Sequence, residues 1–132
     1  MSKAKRILLV EDEENFGSLL QNYLQLSKYE VVWKKDGTQG YSAFFREEFD
    51  VCIFDVMMPN MDGYEATRQI RAIEHQDDQS HTPIVALTAS VLNDDIQSCF
   101  KAGMDHYIGK PFEKTQLLSA IDQLITQKRN LH

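Results

Sequence analysis

Apolar residues recur along this chain in two rhythms. Arg6-Ile7-Leu8-Leu9-Val10, Val51-Cys52-Ile53-Phe54 and Ile84-Val85-Ala86-Leu87 are short continuous runs, the pattern of strands buried on both faces. Glu30-Val31-Val32-Trp33 predicts a shorter strand and His106-Tyr107-Ile108-Gly109 a last one. Between them the spacing changes to that of a helix. Phe16, Leu19, Leu20, Tyr23 and Leu24 give one apolar face to a helix over 14–27. Asp36 with Gln39, and Asp62 with Glu65, read as capping boxes. The first opens a helix through Tyr41, Phe44 and Phe45, and the second a helix through Ile70 and Ile73. A fourth helix is expected over 92–102, with Ile96, Cys99 and Phe100 inward and Gly103 as its stop. Leu117, Leu118, Ile121, Leu124 and Ile125 mark a fifth. The polar stretch Glu74 to Thr82 predicts a loop, and Lys128-Arg129-Asn130 a frayed end.

Five strands alternating with five helices imply an α/β fold, a parallel sheet covered by helices on both faces through right-handed crossovers. The alternation does not by itself set the strand order. In open parallel sheets, ligands gather beyond the carboxyl ends of the strands. Those ends are chemically rich here. The first strand runs into Glu11-Asp12-Glu13-Glu14, the third ends on Asp55, the fourth on Thr88, and the fifth is followed by Lys110-Pro111.

Gathered on one sheet edge, Glu11, Asp12 and Asp55 would repel one another and disfavour ionisation of at least one. A hard divalent cation such as Mg²⁺, which takes oxygen ligands and phosphate together, relieves that crowding. Lys110 adds a compact positive charge suited to a phosphoryl oxygen, and the Thr88 hydroxyl suits another. The set is equipped for phosphoryl transfer, in which a carboxylate serves as nucleophile.

Composition narrows the field. At 132 residues, 42% hydrophobic and 26% charged, the chain fits one ordinary globular domain. Its net charge of −6 argues against a nucleic-acid footprint. There is no membrane-length apolar run and no signal-peptide pattern at Met1 to Arg6, so a cytoplasmic location is expected. Cys52 and Cys99 have no metal or redox spacing and read as reduced packing residues. His75, His81, His106 and His132 are scattered and read as surface positions.

From about Arg6 to Ile125 the chain resembles the receiver domain of two-component response regulators, of the chemotaxis-regulator kind. The resemblance rests on Ile7-Leu8-Leu9-Val10-Glu11-Asp12, on Phe54-Asp55-Val56-Met57-Met58-Pro59 with Met61-Asp62-Gly63, on Pro83-Ile84-Val85-Ala86-Leu87-Thr88-Ala89, and on Gly103-Met104-Asp105 with Tyr107 and Lys110-Pro111-Phe112. It implies a flavodoxin-like (βα)5 three-layer sandwich of strand order 2-1-3-4-5, as a single domain over 1–132 with its core at about 6–126. It implies that Asp55 accepts a phosphoryl group from a phosphohistidine on a histidine kinase or histidine phosphotransfer protein. Glu11, Asp12, Asp55 and the backbone carbonyl of Met57 would hold Mg²⁺. Glu11 stands where many receivers have Asp, and its longer side chain suits contact through a metal-bound water, which leaves Asp12 as the direct ligand. Lys110 would pair with the phosphoryl group, and its bond to Pro111 would be cis. Thr88 and Tyr107 would form the switch pair, changing the face of the fourth helix, fifth strand and fifth helix for an output partner or a phosphorylation-dependent dimer. Small Ala89 leaves the acceptor approachable, and Met57 and Ser90 flank it and tune hydrolysis of the acyl phosphate. The chain would catalyse only its own phosphorylation and dephosphorylation.

Each residue also has a blander reading: Thr88 as a strand-end hydroxyl, Tyr107 as a half-buried aromatic, Lys110 as a surface lysine before a turn proline. The joint pattern overrides these, except for Met58 as loop packing and Asp62 as a cap, and Trp33 reads as structural. Two other functions use the same sheet edge. A flavin carrier needs a hydroxyl-rich phosphate loop after the first strand, where Glu11-Asp12-Glu13-Glu14 would repel phosphate. An aspartyl-phosphate phosphatase or mutase usually pairs its nucleophile with an Asp two residues later, where Met57 stands. Only Thr126 to His132 follow the fifth helix, which suits a stand-alone regulator. Met61 to Thr67 and Thr82 to Ala89 equally resemble receivers at the ends of hybrid histidine kinases.

Overall fold

The computed structural model describes residues 4–57, 61–76, 81–89 and 92–130, with residues 128–130 described for backbone only. Met58, Pro59, Ser90 and His132 lie outside the described residues. The elements alternate as expected: β1 (Arg6–Val10), α1 (Glu14–Leu26), β2 (Glu30–Lys34), α2 (Gly37–Arg46), β3 (Val51–Asp55), α3 (Gly63–Gln76), β4 (Ile84–Thr88), α4 (Asn93–Ala102), β5 (His106–Gly109) and α5 (Lys114–Asn130). All strand pairs are parallel, in the order β2-β1-β3-β4-β5. None of the described helices is long and apolar enough to cross a membrane.

The period of two along each strand divides the core into two layers. Leu8, Val10, Cys52, Phe54, Ile84 and Ala86 pack with Phe44, Ala66, Ile70 and Cys99 on one side. Ile7, Leu9, Val51, Ile53, Val85 and Leu87 pack with Leu20, Leu24, Leu117 and Ile121 on the other. A sheet covered on both faces has no room for polar side chains along its strands, so functional groups collect at their ends. Asp55 and Thr88 are the last residues of β3 and β4, and Glu11 follows β1 directly.

Local signals set several helix boundaries. Asp36 Oδ1 accepts from Gln39 N at 2.8 Å and Asp62 Oδ1 from Glu65 N at 2.9 Å. Gly103 ends α4 in the left-handed region, at φ 106°, with its N–H on the Phe100 carbonyl at 3.0 Å. Gly63 starts α3 hard against β3: a Cβ there would lie 2.5 Å from the Asp55 carbonyl oxygen.

Three expectations are corrected. The loop expected from Glu74 starts later, because Glu74 to Gln76 belong to α3. Glu74 is buried and accepts from Arg71 Nη1 at 2.6 Å and from the Thr82 N–H at 2.8 Å. Arg71 also donates to the carbonyls of Gly103 and Thr82 and to Asp105 Oδ2, which in turn accepts from Ile84 N. This network ties α3 to the opposite edge of the sheet from the acidic cluster. Phe100 is not inward: it is 49% exposed and meets Tyr107 edge to face, because Cys99 and Ala102 take the buried face of α4. Lys128, Arg129 and Asn130 continue α5 rather than fray, in a segment with no Gly or Pro to stop a helix.

Glu74→Ala removes an acceptor from a buried network and strands the Thr82 N–H. It should lower the unfolding free energy by about 2 kcal/mol, short of the 3–5 typical of a broken buried pair because Arg71 keeps its other acceptors. Urea denaturation checks this through a lower midpoint at unchanged slope.

Candidate functional site

The backbone of the loop after β1 is held by the end of β2. Glu11 N donates to the Lys34 carbonyl at 3.0 Å, and the Trp33 indole Nε1 donates to the Glu11 carbonyl at 2.9 Å. Glu13 caps α1, its carboxylate accepting from Asn15 N at 3.2 Å and Phe16 N at 2.8 Å. The four acidic residues therefore divide their work. Glu11 turns inward and is fully buried, Glu13 is a helix cap, and Asp12 and Glu14 face solvent. Glu14 pairs with Lys35 at 3.1 Å.

Glu11, Asp12 and Asp55 offer carboxylate oxygens that all lie within 4.8 Å of one another. Asp55 is 6% exposed. Its Oδ1 accepts from Met57 N at 3.0 Å, which fixes the carboxylate on the turn leaving β3. Lys110 reaches into the cluster from the end of β5. Its Nζ lies 3.1 Å from Glu11 Oε1 and 3.2 Å from Asp55 Oδ2. The peptide bond from Lys110 to Pro111 is cis, as the resemblance implies, and Lys110 N donates to the Thr88 carbonyl at 2.7 Å. The ammonium also sits 4.6 Å from the centre of the Phe16 ring, a cation–π contact that sequence reasoning missed because Phe16 reads only as part of an apolar helix face.

The electrostatics carry the mark of crowding. Burial pushes the Glu11 carboxyl up to about 7, and the hydrogen bond and charge of Asp55 push the same way, against the Glu13 N–H and Lys110. Burial opposes the charge on Lys110, but Asp55 and Glu11 outweigh it and raise its pKa. One lysine thus answers a cluster of carboxylates, and a hard cation fits the remaining charge: the donors are all oxygens, within reach of one ion, at a solvent-facing sheet edge.

Thr88 is 3% exposed and stands opposite Gly109 in the β4–β5 pair. Tyr107, two residues earlier on β5, is opposite Ala86 and half-buried between the edge of Phe100 and the ring of His106. The structure thus brings Glu11, Asp12, Asp55 and Lys110 together, with Thr88 at the end of the strand next to β3 and Tyr107 farther off, on β5 two residues before the Thr88–Gly109 pair. Met57 is 73% exposed at the mouth of the site, and Ala89 is exposed after β4.

Comparison with known proteins agrees. The model of the response regulator receiver domain matches residues 7–122. The transcriptional regulatory protein RprY of Bacteroides fragilis is 41% identical over 98% of this chain, which spans 52% of that protein. Among solved structures, the receiver domain of the sensor histidine kinase PA1611 from Pseudomonas aeruginosa, with a magnesium ion coordinated in its active-site cleft, superposes with a TM-score of 0.84 at 36% identity, covering 93% of this chain and 98% of that one. The receiver domain of the Saccharomyces cerevisiae response regulator Ssk1, solved with the histidine phosphotransfer protein Ypd1, gives 0.90 at 25% identity, covering 97% and 93%.

The raised Glu11 carboxyl gives a pH test on metal-free protein. Folded Glu11 holds its proton more tightly than unfolded Glu11, so this group's contribution to stability is full below its ordinary pKa of 4.5 and is lost as pH rises through about 7. Glu11→Gln cannot ionise, so in chelator its stability relative to wild type should increase from pH 5 to pH 8. Denaturation at a series of pH values reads this directly, and a constant difference would contradict it.

Proposed function

The chain belongs to the response regulator receiver domain family, and from that premise we propose that Asp55 is its phosphoacceptor, taking a phosphoryl group from a phosphohistidine with Mg²⁺ as cofactor. The observation that carries this reading is the position of Lys110 Nζ, at hydrogen-bond distance from both Asp55 and Glu11 beside Asp12. A carboxylate with an ammonium on one oxygen and a backbone N–H on the other is held in one orientation, which is what in-line attack requires of a nucleophile.

Asp12, Asp55 and the Met57 carbonyl would hold the Mg²⁺ directly, with Glu11 acting through water. When bound, the ion supplies charge neutralisation for the phosphoryl oxygens. Asp55 donates an electron pair to phosphorus, a P–O bond forms, the P–N bond breaks, and the imidazole leaves with the electron pair and takes up a proton. Lys110 follows the negative charge from the Asp55 carboxylate to a phosphoryl oxygen, a move of a few ångströms for an ammonium on a flexible stem. The phosphoryl group brings new charge and acceptors, which draw the Thr88 hydroxyl. Tyr107, packed against Ala86 and the exposed Phe100, then changes position and carries the event to α4, β5 and α5. That face is the surface for an output partner or a phosphorylation-dependent dimer. The chemistry is self-directed: the acyl phosphate forms and hydrolyses on the same Asp55, with no turnover of an external substrate. The phosphodonor is a histidine kinase or a histidine phosphotransfer protein, a reading supported by the receiver of PA1611 and by the Ssk1 complex with Ypd1.

Acetyl phosphate with Mg²⁺ should add one phosphoryl group to the intact mass of the wild type and none to Asp55→Asn. An adduct surviving that substitution would place the acceptor elsewhere. Asp12→Ala should weaken Mg²⁺ binding at least about tenfold, the least expected for a direct ligand. Glu13→Ala should leave binding unchanged and cost only about 1 kcal/mol as a lost helix cap, which calorimetry and denaturation separate.

A further inference from the structure

Trp33 is the only tryptophan of the chain, and its indole N–H goes to a single acceptor, the carbonyl of Glu11. That oxygen belongs to the peptide joining Glu11 to Asp12. The N–H on the other side of Glu11 is held by the Lys34 carbonyl at 3.0 Å. Residues 33 and 34 at the end of β2 therefore grip both backbone groups of Glu11. A peptide is planar, so holding its oxygen sets the direction in which the next residue leaves it. That residue is Asp12, the exposed member of the carboxylate cluster.

The indole reaches this oxygen only because α1 yields to it. A Cβ on Gly17 would lie 2.2 Å from Trp33 Cζ2 and 2.9 Å from its Nε1, so any other residue at 17 would push the ring off its line. The ring is otherwise part of the α1–α5 layer, with Lys35 Nζ 5.7 Å from its centre. Packing alone would not need a hydrogen-bonding aromatic whose N–H edge lies flush on a helix backbone.

We propose that Trp33 is a positioning residue for the metal site, orienting Asp12 toward Glu11 and Asp55 through its hydrogen bond to the Glu11 carbonyl, with Gly17 as the space it requires. The inference rests on the metal-binding reading above. It assigns β2, the strand farthest in sheet order from Thr88 and Lys110, a part in the affinity of the site. Losing one neutral hydrogen bond that aligns a ligand corresponds to roughly fivefold weaker Mg²⁺ binding.

The test is Mg²⁺ titration by calorimetry of the full chain and two variants. Trp33→Phe keeps an aromatic ring in the layer and removes the N–H. Val31→Ala, on the same strand and in the same layer, removes packing without touching the Glu11 carbonyl. Binding should weaken about fivefold in Trp33→Phe and stay at the wild-type value in Val31→Ala. In the wild type, the indole emission should change with Mg²⁺ at the same half-saturation as the calorimetric binding. Wild-type affinity in Trp33→Phe, equal weakening in Val31→Ala, or emission blind to saturating Mg²⁺ would overturn the proposal. A wild type that binds no Mg²⁺ is a separate outcome: it removes the metal-binding reading itself.

Discussion

The structure is organised around a repulsion. Three carboxylates are brought within a single ion's reach at one edge of a sheet, and one of them is fully buried. In water such groups would separate. Here Glu11 and Asp55 cannot, because each is fixed by an element that the core has already placed: Glu11 by β1, Asp55 by β3 and its turn. Lys110 offsets part of the cost from the end of β5. The crowding that remains shows in the Glu11 carboxyl, held well above the ordinary range. A site so charged gains from added positive charge, which suits the Mg²⁺ proposed for it and, through that ion, the phosphoryl transfer proposed with it.

The two-layer core makes this possible. Strands β1, β3 and β4 are buried on both faces, so their ends are rigid platforms, and polar chemistry is confined to the loops beyond them. At the opposite edge a second charged network, built from Arg71, Glu74 and Asp105, is fully paired and holds α3 to the start of β4 and β5. One end of the sheet is locked by satisfied charges; the other keeps a charge excess in reserve. The difference separates a structural ion cluster from the one proposed to react.

Much of this was legible in the sequence. The strands declared themselves because an apolar run of four or five residues between polar segments fits a strand covered on both faces and is too short for a helix. The strand-end residues then followed from the fold rule. The strand order came from the resemblance, whose motifs cover nearly the whole chain, and so did the roles proposed for the site residues. What the sequence hid was long-range pairing. Glu74 looked like the first residue of a polar loop because the Thr82 N–H it accepts from, and the Gly103 and Asp105 groups that hold its helix neighbour Arg71, meet them only in the folded chain. Phe100 looked inward because helical spacing cannot say where an apolar face ends. Trp33 and Phe16 read as packing residues, and only the coordinates put an indole N–H on Glu11 and an aromatic face under Lys110.

The carboxylates of Glu11, Asp12 and Asp55 lie within reach of one ion, with Lys110 Nζ against two of them, and every functional step proposed above depends on that geometry. A crystal structure of the chain with Mg²⁺ and beryllofluoride tests it most directly. Beryllium is expected on Asp55, Mg²⁺ bridging Asp12, Asp55 and the Met57 carbonyl, and Lys110 Nζ moved onto a fluorine. Mg²⁺ bound away from Asp12, or Lys110 still seated between Glu11 and an unmodified Asp55, would contradict it.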